Sequence, residues 1–146
     1  MDSSALLDLA IAIASDAHQG QLDKYGKDYF NHPMRVMMRG RNVEEKIVGI
    51  LHDVVEDTPL TFEALEEKGF PKNIMDALRC ITKMSDDEDY DAYIDRCAAD
   101  PLAVAVKIHD LTDNMDVRRM PFVGEDEVRR LNKYLKAYRY LLSLYH

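Results

Sequence analysis

The sequence predicts an all-α chain, a single helical bundle of about eight helices. Three observations carry that expectation. Apolar residues recur at spacings of three and four in most segments. No alternating pattern of useful strand length appears. Helix start and stop signals (Asn42, Thr61, Gly69, Pro71, Asp100-Pro101 and Gly124) punctuate the chain at intervals suited to short helices.

Leu6, Leu7, Ala10, Ile11, Ile13, Ala14 and Ala17 mark a first helix, with Ser3 or Ser4 as N-cap and His18 at its end. A loop containing Gly20 and Gly26 follows. Pro33 suits the first position of a short helix reaching about Arg39, which gives His32 an N-cap-like place with its ring free. Asn42, with Glu45 three residues on, opens a helix whose run Lys46-Ile-Val-Gly-Ile-Leu51 is apolar enough for a core. Thr61 caps a helix stopped by Gly69, and Pro71 opens another to about Lys83. An amphipathic segment from Tyr90 to Ala98 comes next, and Asp100-Pro101 starts a second strongly apolar helix. After Gly124 the last helix carries Val128, Leu131, Leu135, Tyr138 and Leu142 as its apolar stripe. Its tyrosines read as core or dimer packing.

At 146 residues, 47% hydrophobic and 32% charged, the chain suits one globular domain. The expected organisation is a single domain over 1–146, with its motifs within about 5–120 and a closing helix over about 125–145. The formal net charge of −8 disfavours a nucleic-acid polymer as partner. No apolar run approaches the ~18 residues of a membrane span, and no basic region precedes the first apolar stretch. Cys80 and Cys97 have no cysteine framework around them and suit free thiols in a reducing cytoplasm. The run Ser85-Asp-Asp-Glu-Asp89 lacks the ligand spacing of a calcium loop and reads as a solvated acidic loop.

Chemistry concentrates at His52-Asp53 and Glu56-Asp57, where one imidazole and three acids end an apolar helix. Such groups are costly to bury unless paired or holding a metal. In a continuous helix His52 would lie over Glu56, and Asp53 over Asp57. Upstream stands His32; downstream, Lys107, Asp110 and Asn114 recur on one face of the second apolar helix. Two His and two Asp from three helices form a mixed N/O set suited to Mn, Fe, Co or Zn with positions left for water. Lys24, Lys27, Arg35, Arg39 and Arg41 supply local positive charge near His32 that could meet a phosphate. His109, about 100° round the helix from Asp110, is expected to support the site from behind it.

The ordered motifs Ala17-His18-Gln-Gly20-Gln21, Lys24-Tyr-Gly26, Tyr29-Phe-Asn-His32-Pro33, Leu51-His52-Asp53-Val-Val-Glu56-Asp57-Thr58, Thr82-Lys83, Lys107-Ile-His-Asp110 and Asn114 resemble the HD-domain hydrolases. The likeness is greatest to the RelA/SpoT-type alarmone branch and its small single-domain relatives. It implies His32, His52, Asp53 and Asp110 as ligands of a metal, usually Mn2+. It also implies Glu56 and Asp57 as the residues that position and activate water, and Lys24 and Asn114 as substrate contacts; Lys107 and Arg35 are added here as further candidates. The implied reaction removes the 3′-pyrophosphate of ppGpp or pppGpp, with a homo-oligomer possible and no membrane partner. Two positions depart from the pattern: Asp23 stands where an Arg stacks on guanine, and Leu111 follows the last ligand in place of a basic residue. Another phosphohydrolase of the same type, or a non-catalytic metal-binding sensor module, are the alternatives. The resemblance ends near residue 120, and no Gly-rich phosphate loop is present, so no synthesis of alarmone is expected.

Overall fold

The computed structural model describes residues 2–145, and among these residues the regular structure is helical. In order come α1 (Ser3–Ala17), α2 (Asn31–Met38), α3 (Val43–Leu51), the one-turn α4 (Val54–Asp57), α5 (Phe62–Glu67), α6 (Lys72–Ile81), α7 (Tyr90–Ala98), α8 (Pro101–Asn114), a 3-10 turn (Val117–Arg119) and α9 (Glu125–Leu142). The strand-like pairing described is an isolated bridge between Leu22 and Asp28, which closes the loop between α1 and α2. Among the described residues no helix is long and apolar enough to cross a membrane.

Two helices organise the rest. α3 packs on α1, α2, α6 and α8; α8 packs on α2, α3, α6, α7 and α9. Accordingly α8 is buried nearly all round, from Ala103 to Leu111, as expected of a central helix. Gly49 lets α2 and α3 meet closely: a Cβ there would stand 3.2 Å from the backbone of Met37. Ile47, Ile50, Leu51, Leu65, Ile74, Leu78, Ile81 and Leu111 fill the centre, each contributing about 1.5–3 kcal/mol by leaving water.

Most helix starts follow their caps. Asn42 accepts from the Glu45 N–H at 2.9 Å, Thr61 from the Ala64 N–H at 3.1 Å, and Asp100 from the Leu102 and Ala103 N–H groups at 2.9 and 3.0 Å. Three expectations need correction. α1 is capped by Asp2, whose carboxylate accepts from the Ala5 N–H at 2.8 Å, so Ser3 and Ser4 lie inside the helix. α2 begins at Asn31, ahead of Pro33, which puts His32 within the first turn and buries its ring. On α9, Ala137 and Leu141 face inward with Tyr134 and Tyr138 packed beside them, leaving Val128, Leu135 and Leu142 exposed. The small Ala137 side chain at the centre of that face suits close packing of α9 on α8.

Candidate metal and phosphate site

The expected single helix through His52 and Asp57 is broken. The ring Nδ1 of His52 donates to the Gly49 carbonyl at 2.6 Å, α3 ends at Leu51, and Asp53 takes φ −105°, ψ 0° before α4 restarts. A side chain that captures a backbone carbonyl competes with the helical ladder. The break brings the Asp53 carboxylate beside both histidines, and also beside Glu56 and Asp57.

His32 enters from α2 and Asp110 from α8. His32 Nε2 lies 2.9 Å from Asp110 Oδ1 and 3.7 Å from Asp53 Oδ2; His52 Nε2 lies 3.0 Å from Asp53 Oδ2 and 3.4 Å from Asp110 Oδ1. Thus donor atoms of His32, His52 and Asp53 lie within 4.8 Å of one another, and Asp110 Oδ1 stands against both imidazoles. The two imidazoles stand edge to face, 5.2 Å between centroids.

Whether a cation fits is decided by His52. Its Nδ1 holds the proton given to Gly49, so a neutral ring presents a lone pair at Nε2. That atom is buried and makes no hydrogen bond. A lone pair facing two carboxylate oxygens is repulsive unless a positive charge lies between them. Where no metal does so, a proton must. Burial works against that proton, yet Asp53 and Asp110 outweigh it and raise the His52 pKa well above the ordinary value. For His32 too, burial lowers the pKa, but bonds to Asp110 and Asp113 leave it raised. The donor set therefore fits a divalent cation, which would compete with protons for these nitrogens.

Asp113, which spacing arguments passed over, holds His32 in place. It is fully buried on α8 and accepts from His32 Nδ1 at 2.6 Å. Arg35 Nε donates to the same carboxylate at 2.7 Å, and Arg119 reaches it at 3.3 Å. Burial pushes the Asp113 pKa up, but these partners outweigh it and bring it to about 2. A carboxylate behind a ligating histidine fixes its tautomer and orientation. The recoverable signal was an acid three residues after Asp110 on an apolar helix. Arg35, expected to meet substrate, is thereby tied to Asp113 at the cavity edge.

The other expected residues lie around one cavity of 480 Å³. Lys107 Nζ bonds Asp110 Oδ2 at 2.8 Å and Asn114 Nδ2 donates to Asp110 Oδ1 at 3.1 Å, so both touch the cavity while holding a proposed ligand. Glu56 accepts from the Lys83 N–H at 3.0 Å, and Asp57 from the Tyr29 hydroxyl at 3.2 Å; that hydroxyl also donates to Asp53 at 2.5 Å. Burial, opposed by the Lys83 N–H but reinforced by the neighbouring acids, raises the Glu56 pKa; burial and Asp53 raise that of Asp57. Lys24 also lines the cavity, from the loop before α2. Asp23 lies beside it, and its Oδ1 closes the turn by accepting from the Tyr25 and Lys27 N–H groups at 2.8 and 3.0 Å.

The same cavity carries a cationic and aromatic lining that the sequence reading, apart from Lys83, did not place at the site. Lys83, Arg119, Arg130 and Lys133, with Tyr90 and Tyr134, line the same cavity. Lys133 lies 4.6 Å over the Tyr90 ring, and its pKa is lowered by burial and by Lys83, Lys107 and Arg130. Tyr134 is thus a cavity residue as well as a packing one. Of the cations expected near His32, Arg41 instead pairs with Glu45 at 2.9 Å and stacks on Tyr145.

His109 also turns away from the site. Its Nε2 meets buried Glu45 at 2.8 Å on a different face of α8, so it gives the proposed ligands no direct support. Glu88, in the supposedly solvated acidic loop, pairs with Arg96 instead.

No family model matches the chain. It is 28% identical over 136 residues to the bifunctional (p)ppGpp synthase/hydrolase SpoT of Escherichia coli, covering 84% of this chain and 19% of that one. It is 30% identical over 135 residues to the guanosine-3′,5′-bis(diphosphate) 3′-pyrophosphohydrolase of Haemophilus influenzae, covering 83% and 20%. The chain is thus similar in sequence to one part of the SpoT-type proteins. It spans about a fifth of the length of the curated relatives it matches. A solved structure of a metazoan ortholog of SpoT, described as hydrolysing ppGpp and acting in starvation responses, superposes with a TM-score of 0.78 at 23% identity, covering 94% of this chain and 85% of that one. The all-α fold of this chain is therefore shared with that metazoan SpoT ortholog.

Proposed function

We propose that residues 1–146 act as one HD hydrolase domain that removes the 3′-pyrophosphate from a (p)ppGpp-like nucleotide, using Mn2+. The observation that carries this reading is the mixed lining of one cavity. His32, Asp53 and Asp110 lie beside the unpartnered Nε2 of His52, and the same cavity is lined by Lys24, Lys83, Arg130 and Lys133 with Tyr90 and Tyr134. A polyphosphate needs the cations, a nucleoside suits the aromatic faces, and hydrolysis needs a Lewis acid with a base beside it.

His32, His52, Asp53 and Asp110 are the proposed ligands. A divalent cation held there supplies a Lewis acid for a phosphoryl oxygen and for the attacking water. Glu56 and Asp57, on the one turn that follows, would take the proton of that water as general bases. Lys107 and Asn114 hold Asp110, and Asp113 holds His32. Lys24, with Arg35 at the edge, meets phosphate. The names of the relatives support the pyrophosphate leaving group. The free thiols Cys80 and Cys97 suit a reducing, cytoplasmic setting.

One observation favours a second substrate. Asp23 puts a carboxylate, which can only accept hydrogen bonds, on the cavity wall. Stacking on a cation is lost there, so base discrimination should be modest and another phosphorylated nucleotide should serve. The test is Mn2+-loaded protein against guanine and adenine 3′-pyrophosphates and simple nucleotide monophosphates, with pyrophosphate and phosphate detected separately. Release of pyrophosphate from ppGpp is the expected result; release of phosphate from monophosphates alone would replace this reading with the second.

A further inference from the structure

The segment between α6 and α7 is fastened to the site through a single peptide group. The Lys83 N–H donates to Glu56 Oε1 at 3.0 Å. The carbonyl of that same peptide unit belongs to Thr82, and it accepts from Arg96 Nη2 at 2.6 Å. One peptide plane thus has a guanidinium on its oxygen side and a carboxylate on its N–H side. A cation at the carbonyl polarises the amide and strengthens its N–H as a donor, and the two contacts together fix the plane's direction.

Arg96 is itself anchored. Its guanidinium grips both oxygens of Glu88, whose Oε1 accepts from the N–H of Met84, the next peptide unit, at 2.8 Å. It also lies 5.4 Å from the centroid of Tyr93, a buried ring whose hydroxyl donates to the Ile81 carbonyl at 2.5 Å. The segment has little apolar material of its own to hold it: Met84 is 75% exposed. Arg96 does not line the cavity. It meets the cavity lining through the Thr82–Lys83 peptide and through the Tyr93 ring, and only the peptide leads to Glu56.

We propose that Arg96, braced by Glu88, is a positioning residue for Glu56, orienting the Thr82–Lys83 peptide so that its N–H aims the Glu56 carboxylate into the cavity. This rests on the hydrolase reading given above. Misplacing a catalytic group by a fraction of an ångström slows chemistry without altering substrate binding.

The experiment is a double-mutant cycle on Mn2+-loaded protein with ppGpp, using Arg96→Met, Arg96→Lys, Glu56→Gln and the Arg96→Met/Glu56→Gln pair. It is joined by amide hydrogen exchange at Lys83. Arg96→Met should lower kcat about tenfold with KM and metal content unchanged, and Arg96→Lys should recover part of the loss. In the Glu56→Gln background Arg96→Met should cost nothing further, because residues acting through one another are not additive. Exchange of the Lys83 amide should accelerate in Arg96→Met. Wild-type kcat in Arg96→Met, or losses that multiply in the double variant, would overturn the proposal. If Arg96→Met does not fold, Glu88→Gln carries the same cycle with the same criteria. Failure of the wild-type protein to hydrolyse ppGpp would strike the hydrolase reading instead, whereas wild-type turnover by Glu56→Gln would remove the role of Glu56 and with it this proposal. Lys83 exchange then tests the clamp alone, and an unchanged rate in Arg96→Met would reject it.

Discussion

Two buried histidine–carboxylate clusters lie on different faces of α8, about 100° apart, anchored by residues adjacent in sequence. On one face His109 meets Glu45 at 2.8 Å, Glu45 binds Arg41, and Tyr145 stands edge-on to the imidazole at 6.4 Å. One acid is matched by two basic partners, and its polar atoms are occupied. On the other face Asp110 belongs to a group in which acids outnumber cations and His52 keeps an unpartnered nitrogen. Buried polar groups are ordinarily satisfied, so a closed cluster is explained by the fold and an open one asks for a ligand. Residue type alone does not distinguish them.

The largest expected effect is on the closed cluster. His109→Ala leaves buried Glu45 with Arg41 but without its imidazole, so the loss should be a large part of the about 3–5 kcal/mol that breaking a buried pair costs. Chemical denaturation should register that loss while the metal content of the folded protein stays unchanged. For Glu45, burial raises the pKa, but His109 and Arg41 outweigh it and leave it lowered. Its contribution is therefore present above the unfolded-state pKa and is lost as pH falls through the folded one. Denaturation of the wild-type protein and of Glu45→Gln across acidic pH should converge; parallel curves would contradict the pairing.

Next comes Glu56→Gln in the open cluster. Turnover should fall about 10²-fold or more with metal and fold retained. Unchanged turnover in both Glu56→Gln and Asp57→Asn would move the chemistry to other residues. Asp113→Asn should be milder, weakening metal affinity about 10–100-fold by freeing His32. With its pKa depressed to about 2, Asp113 stabilises the fold above its ordinary carboxylate range, and that contribution disappears as pH falls through about 2. The smallest effect is a gain. The raised pKa of Glu56 means that its favourable contribution exists below the unfolded-state pKa and is lost as pH rises through the folded one. Glu56→Gln in chelated protein should then show a slightly higher Tm at neutral pH, as expected where function costs stability; a lower Tm would contradict the direction of that shift.

The open cluster was largely legible in the sequence because its parts are local. His52-Asp53 and Glu56-Asp57 are adjacent, and Lys107, Asp110 and Asn114 share a helical face that their spacing reveals. The closed cluster was not, since Glu45 and His109 are 64 residues apart and nothing in either segment announces the other. The same holds for the cationic lining. Arg130, Lys133 and Tyr134 reach the cavity only because α9 folds back over α7 and α8, beyond the motif-bearing part of the chain. The break at His52 was hidden for a different reason. Apolar periodicity continues through Val54, and the helix yields to a side-chain bond with Gly49 that periodicity does not encode. On α9 the apolar residues occupy an arc wider than the helix can bury, so the pattern alone did not say which edge faces in.

The most direct measurement is the Mn2+ content of three purified variants, His52→Ala, Asp110→Ala and His109→Ala, by equilibrium dialysis and elemental analysis. The open cluster is proposed as the metal site, so His52→Ala and Asp110→Ala should lose bound metal while folded His109→Ala retains it. Full occupancy in both His52→Ala and Asp110→Ala would contradict that assignment.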